Sequence, residues 1–212
     1  MTIMRYVFIA IFVLFDCGLF ANPTPLADAV ETRAAERITK LLAGKVNVNI
    51  PQVDGMTALH WAAYHDDAVL GAQLLKRNAN ANAKNRYGIT PLYLACQNGN
   101  GELTQALLKA GADPNDVIAR GETALMTAAR TGKLEPVAAL LKVGAKVDAR
   151  EVGGQTALLW AAAEGNLKVV DVLLGAGADF KTPLPKSGYT PFFFAVRQGN
   201  TRVIHRLLAA GV

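Results

Sequence analysis

The chain has 212 residues, of which 51% are hydrophobic and 18% charged, with a formal net charge of +5. That apolar content suffices for a packed interior, and charge is too sparse for a disordered acidic or basic polymer. Lysine and arginine are scattered and form no run, which argues against a nucleic-acid-binding surface, whereas the small positive excess favours acidic partners or anionic surfaces.

The first stretch carries one positive charge, Arg5, then largely apolar residues from Tyr6 to Phe15, then Asp16 and a short segment ending at Ala21. This order is that of a secretory signal peptide. A spanning helix needs about 20 apolar residues, and this run is shorter and broken by Asp16. The expected result is a signal peptide over residues 1–21, cleaved after Ala21, and a mature chain that begins at Asn22 in the periplasm or outside the cell. An uncleaved leader that anchors the protein to a membrane is the alternative. The two cysteines are Cys17 in the leader and Cys96; once the leader is removed, one thiol remains and no internal disulfide can form.

From Thr24 onward the chain repeats itself. Thr24, Thr57, Thr90, Thr123, Thr156 and Thr190 are spaced by 33, 33, 33, 33 and 34 residues, and a leucine pair follows each at one distance, from Leu41 and Leu42 to Leu207 and Leu208. Such a period marks an elongated array of small units, each touching only its neighbours. The first unit, Thr24 to Asn49, keeps the threonine and the leucines but carries Glu31, Arg33, Glu36, Arg37 and Lys40, as suits an end unit with a wet outer face.

The stretch from Gly88 to Asn115 shows what one unit should be. Thr90 is a good N-cap, and Pro91 fits the first helical position because its missing amide needs no partner there. Leu92, Ala95 and Cys96 then share one face, the small pair allowing close helix approach, and Gly99 supplies a left-handed residue that ends the helix. A second helix is expected from Glu102 to Ala110, with Leu103, Ala106, Leu107 and Leu108 inward and Gly111 stopping it. Ala112 to Glu122 reads as an extended loop that turns at Gly121.

This pattern resembles the ankyrin repeat. GMTALHWAAYHDD (Gly55 to Asp67), GITPLYLACQNGN (Gly88 to Asn100), GETALMTAARTGK (Gly121 to Lys133), GQTALLWAAAEGN (Gly154 to Asn166) and GYTPFFFAVRQGN (Gly188 to Asn200) carry the likeness, which covers about Thr24 to Val212. The resemblance implies an all-α solenoid of about six helix-turn-helix units joined by hairpin-like loops, over residues 22–53, 54–86, 87–119, 120–152, 153–186 and 187–212. It also implies a scaffold that recognises another protein through its hairpin tips and inner helices.

Several departures carry expectations of their own. Asp66 and Asp67 stand where other units have a glycine, so that helix must turn without one, at some backbone cost. Pro136 lies near the start of an outer helix, where its missing amide matters little. Phe180 to Ser187 is one residue longer than its counterparts and has two prolines, so the last hairpin should be distorted or stiffened. At the far end, Thr201 and Arg206 replace apolar residues of earlier units and make a partial cap; a longer array, or a partner covering this end, is the rival reading.

Catalytic motifs are missing from the sequence: there is no HExxH, GxSxG, GxxxxGK[ST] or CxxC. No catalytic residue, metal ligand or cofactor is expected, and the protein does not read as an enzyme. His60 occupies the histidine place of the resembled motif, which implies hydrogen bonds around the turn. His65 lies beside Tyr64, Asp66 and Asp67, and helix neighbours one or two apart do not converge on one ion. Cys96 takes a place held elsewhere by alanine or valine and reads as a small buried side chain. Trp61, Trp160 and Phe194 share one place, four after the threonine, and read as core packing or as an aromatic strip interrupted by Leu94 and Thr127.

The candidate partner-binding residues are those that vary while the frame does not. By the resemblance they flank the turn glycine and follow the small pair: Met56, Tyr64 and His65 in one unit; Arg86, Tyr87, Ile89, Gln97 and Asn98 in the next; then Arg120, Glu122 and Arg130, then Val152 and Gln155, and finally Lys186, Tyr189 and Arg197. Together they should form one concave, mildly basic face rich in the aromatics and arginines favoured at interface centres. The reading that follows is a monomeric scaffold outside the cytoplasm that binds another protein, one with an acidic patch, and neither nucleic acid nor, after signal removal, membrane. A structural or protective role toward an exported enzyme and a secreted effector are the alternatives.

Overall fold

The structure, a computed structural model, describes residues 24–212; the leader, Cys17 and the expected cleavage site lie outside them. The described residues form twelve α-helices in six pairs: α1 (Pro25–Glu31) and α2 (Ala35–Ala43); α3 (Ala58–Tyr64) and α4 (Ala68–Lys76); α5 (Pro91–Asn98) and α6 (Gly101–Lys109); α7 (Ala124–Thr131) and α8 (Leu134–Lys142); α9 (Ala157–Glu164) and α10 (Leu167–Gly175); α11 (Pro191–Arg197) and α12 (Thr201–Ala209). No strand occurs among them, only an isolated bridge between Val117 and Thr123. The expected all-α stack of helix pairs is the observed one.

Local chemistry starts each pair. The hydroxyls of Thr57, Thr90, Thr123, Thr156 and Thr190 each accept from the amide three residues on, satisfying one of the donors that a helix start leaves free. Thr24 differs, since its hydroxyl donates to Asp28 Oδ1 at 2.9 Å and does not cap its helix. Gly99, Gly132 and Gly165 end α5, α7 and α9 in the left-handed conformation. Where glycine is replaced, Asp66 takes that conformation itself (φ 61°), and Asp67 caps α4 by accepting from the Leu70 amide at 2.8 Å. The absent glycine is thus met by one strained aspartate followed by a good cap.

Packing follows the frame. Inner helices α1, α3, α5, α7, α9 and α11 stack in that order, and outer helices α4, α6, α8, α10 and α12 stack behind them. Ala62 and Ala63, Ala95 and Cys96, Ala128 and Ala129, and Ala161 and Ala162 are sealed between inner helices. In each leucine pair from Leu74 onward the first member is sealed, but Leu75, Leu108, Leu141 and Leu174 are only partly buried. Leu108 is therefore not the inward residue expected of it, and Thr104, one turn back, is buried in its place, its hydroxyl donating to the Asn100 carbonyl at 2.7 Å.

The loops are clipped to one another by side-chain amides. Asn49 donates to the Asn78 carbonyl at 2.9 Å and accepts from the Asn80 amide at 2.7 Å. Asn82 repeats this with Gly111 and Asp113, and Asn115 with Gly144 and Lys146. Four hairpins close over four residues, as in Asn85 N–H to Ile89 O at 3.1 Å, whereas the last closes over five, Leu184 N–H to Tyr189 O at 2.8 Å. The extra residue is absorbed inside the final turn, which is the distortion expected. Gly55 shows why one hairpin glycine is needed: it has φ +87°, and a Cβ there would lie 2.8 Å from Asn85 Cα in the next hairpin.

Candidate functional site

The candidate groove lies between hairpin tips and inner helices, which border an open recess at the first end of the stack. At the first end a cavity of about 530 Å³ is lined from the tips by Val53, Asp54 and Arg86 and from the inner helices by Asp28, Glu31 and Trp61. One side chain organises this end. The Gln52 amide donates to Asp28 Oδ1 at 2.8 Å and to Glu31 Oε2 at 2.7 Å, while its carbonyl accepts from Trp61 Nε1 at 2.6 Å. Gln52 had no place among the candidates because its partners are 9 to 24 residues away and no local pattern connects them.

The candidates divide according to what their side chains already hold. Tyr64 and Tyr87 are 57% and 59% exposed, and Arg86, Gln97, Arg120, Arg130, Val152, Lys186, Tyr189 and Arg197 are exposed as well. Met56 is not available: it is 7% exposed and belongs to the core. The position beside the turn glycine points inward there, so its place in the motif did not predict its exposure. Ile89 is half-buried against the core. His65, also half-buried, joins the first two units: its Nε2 meets the Glu31 carbonyl and its Nδ1 the Arg33 guanidinium, both at 3.0 Å, and its ring stacks on Trp61. Asn98 is exposed, yet its amide clips α5 to the Ala63 and Tyr64 carbonyls at 2.9 and 3.0 Å. Gln155 and Glu122 are half-buried.

Glu122 is the acceptor of a small polar cluster. Thr127 donates to Glu122 Oε1 at 2.7 Å, and the Tyr93 hydroxyl approaches the same oxygen at 3.4 Å. Burial raises the Tyr93 pKa, with the Glu122 charge in the same direction. Tyr93 was not singled out in the sequence because it stands at the place of a core residue, and only its reach to the next unit brings the hydroxyl to this groove.

Guanidinium groups lie over aromatic rings at three points: Arg86 on Tyr87 at 5.0 Å, Arg130 on Trp160 at 5.2 Å and Arg197 on Phe194 at 4.9 Å from the ring centroid. Each pairing sets a flexible cation against a flat ring, which is half-buried for Trp160, buried for Phe194 and exposed for Tyr87. Trp61 and Trp160 are half-buried and Phe194 is buried, with Leu94 and Thr127 buried between them, so the shared aromatic place is a lining rather than an open strip. Trp160 Nε1 is buried and has no acceptor in the protein.

Two further titratable groups, His60 and Cys96, are sealed inside the stack. His60 is sealed: Nδ1 accepts from the Thr57 amide at 3.1 Å, and Nε2 lies 3.0 Å from the Ile89 carbonyl in the next unit. Burial lowers its pKa, against the opposing pull of the Ile89 and Ala83 backbone groups and the Asp54 charge. Burial likewise pushes the Cys96 thiol up to about 12, far from the range of a reactive thiolate. Among the described residues no group of three or more histidine, cysteine, aspartate or glutamate side chains could hold a metal ion.

The family model described as ankyrin repeats (3 copies) matches residues 26–118, 102–183 and 152–212, which together span nearly all of the described chain. No curated protein matches the chain significantly.

Proposed function

The chain belongs to the ankyrin-repeat family, and from that premise we propose that it binds a partner protein, outside the cytoplasm, through the groove between its hairpin tips and inner helices. Repeats of this family are protein-protein interaction modules, and function here lives in the surface they display rather than in reactive groups. The observation that carries the reading is the row of exposed arginines preset on aromatic rings, Arg86 on Tyr87 and Arg130 on Trp160, with Arg120 at the tip between them. Arginine and aromatic side chains dominate interface energetics, and side chains held in place before binding reduce the ordering cost of association. The complement of such a row is an acidic patch on the partner.

Complexes isolated by affinity capture supply the test. The triple charge reversal Arg86→Glu, Arg120→Glu, Arg130→Glu should weaken binding by about tenfold or more, with a reduced dependence on salt. Complexes that survive the reversal unchanged would end this reading.

Export by cleavage after Ala21 is the second part of the proposal. It rests on Arg5 followed by the short apolar run that ends at Asp16. N-terminal sequencing of the protein from the exporting cell should begin at Asn22; a start at Met1 would instead mean a retained leader.

A further inference from the structure

The outer-helix side of the stack, behind the groove, carries a cleft between α6 and α8. It measures about 580 Å³ and is floored by Leu108, Leu134, Ala138, Ala139 and Val143. None of these side chains is sealed: Leu108, Leu134 and Ala139 are half-buried, Ala138 is exposed and Val143 is 49% exposed. The place of Val143 is held at the ends of the other stacked outer helices by Arg77, Ala110, Ala176 and Ala210, so a branched apolar residue there is peculiar to α8. Two further places explain why the cleft is open. Between α10 and α12, Asp171 pairs with Arg206 across the outer face. On α6 and α8 those places hold Gln105 and Ala139, which cannot make such a pair.

The two ends of the cleft carry opposite charge. Lys109 and Lys142, in the last turns of α6 and α8, border one end, and Glu135, in the first turn of α8, borders the other. Glu102 stands in the matching turn of α6. All four side chains are exposed, and among the described residues none of them takes part in an ion pair. Each charge has the sign that its own helix end favours. What sets this pair of helices apart is the apolar floor that runs between the charged ends.

We propose that this cleft is a second docking surface, distinct from the groove, and that its occupant is one amphipathic helix of a partner protein, lying antiparallel to α6 and α8. Helical shape follows from the cleft itself, the furrow between two equivalent helices of nine residues, each about 13 Å long. Orientation follows from the charges. A helix favours acidic residues in its first turn and basic ones in its last. Laid antiparallel, such a helix sets its acids on Lys109 and Lys142 and its bases on Glu102 and Glu135, and it opposes the dipoles beneath it. An anionic amphiphile carries one sign only and answers one end of the cleft alone. A second copy of this chain is disfavoured by area: a stable pair of folded proteins buries about 800 Å² per partner, whereas two helices of this length present a strip about 13 Å by about 20 Å.

The probe is a synthetic peptide of about 20 residues, long enough to hold helix in water, with a leucine-alanine face, glutamates in its first half and lysines in its second, and a twin with lysines throughout. The full chain should bind the bipolar peptide about tenfold or more tighter than its twin, more weakly as salt rises. Ala138→Arg, which fills the floor, should abolish binding; Gln105 and His205 hold the same place on other outer helices, so the fold should stay intact by circular dichroism. Lys109→Glu with Lys142→Glu should weaken the bipolar peptide about tenfold and make the lysine twin the better ligand; Gly175 and Ala209 hold the corresponding places elsewhere, so the fold does not need either lysine. A nitroxide on the first residue of the bipolar peptide should broaden the Val143 amide resonance and spare that of Leu134. The groove variant Arg86→Glu, Arg120→Glu, Arg130→Glu should bind the bipolar peptide as the parent does, which separates this surface from the one proposed above. Equal binding of both peptides, binding of neither, broadening at Leu134 in place of Val143, or binding that persists in Ala138→Arg overturns the proposal. So does a concentration-dependent dimer, or binding to phosphatidylglycerol vesicles, that Ala138→Arg removes; these assign the cleft to a second copy or to a lipid surface.

Discussion

Replacing Leu107 by alanine should cost about 2–5 kcal/mol of stability, the usual range for emptying a sealed leucine site. Leu107 lies on α6 at the middle of the stack, fully sealed, with Leu103 and Leu140 of the same core. The loss combines the transfer free energy of the removed methyl groups with a cavity that neighbouring helices close only in part, since each is already seated on two others. A total stability of about 5–15 kcal/mol makes this a large fraction. Because the array is close to one-dimensional, weakening a central unit also uncouples the two ends, so the urea transition should broaden as well as move to lower concentration. Leu108→Ala, one residue on, removes the same atoms from a half-buried site and should cost clearly less. Equal losses for the two variants would contradict the packing described.

His60→Ala should be the second large effect, about 2–4 kcal/mol, because it strips partners from buried groups on both sides of an interface. The Thr57 amide loses its acceptor at Nδ1 and the Ile89 carbonyl loses its donor at Nε2, in a place closed to water. The same residue makes stability depend on pH, with a sign that follows from its lowered pKa. In the unfolded chain the imidazole takes a proton near pH 6.5, but in the folded protein burial delays this, so below pH 6.5 the unfolded state binds more protons. Stability contributed by neutral His60 is therefore intact above pH 6.5 and declines as pH falls from there toward the folded pKa, with a slope that approaches about 1.4 kcal/mol per pH unit for one proton. Urea titrations of parent and His60→Gln at pH 7.5, 6.5 and 5.5 should show the parent losing more on acidification than the variant. Parallel losses would mean that His60 is not the group responsible.

How much could be read before the fold was known depended on how far apart the interacting residues lie. Thr57, Thr90, Thr123 and Thr156 cap helices through amides three residues away, and Gly99 ends α5 through its own φ angle; such events are local, and sequence spacing reports them directly. Phe180 to Ser187 was legible in the same way, since an added residue must be absorbed somewhere between two framed threonines. The candidate groove was legible only as a set of places. Met56 turned inward and His65 was taken up by Glu31 and Arg33, while Gln52 and Tyr93 entered through partners that belong to other helices.

The sequence by itself determined the period, the pairing of helices and the turns that end them, because each is written in residue types at short or constant separations. Tertiary structure alone decided which leucine of a pair is sealed, that Arg130 rests on Trp160 and which carbonyls receive an asparagine from the next unit. Those outcomes turn on distances of a few ångströms between residues 29 to 38 positions apart, where one helix's rotation against its neighbour selects the contact. The repeat sets the places where side chains stand; stacking sets what each of them meets.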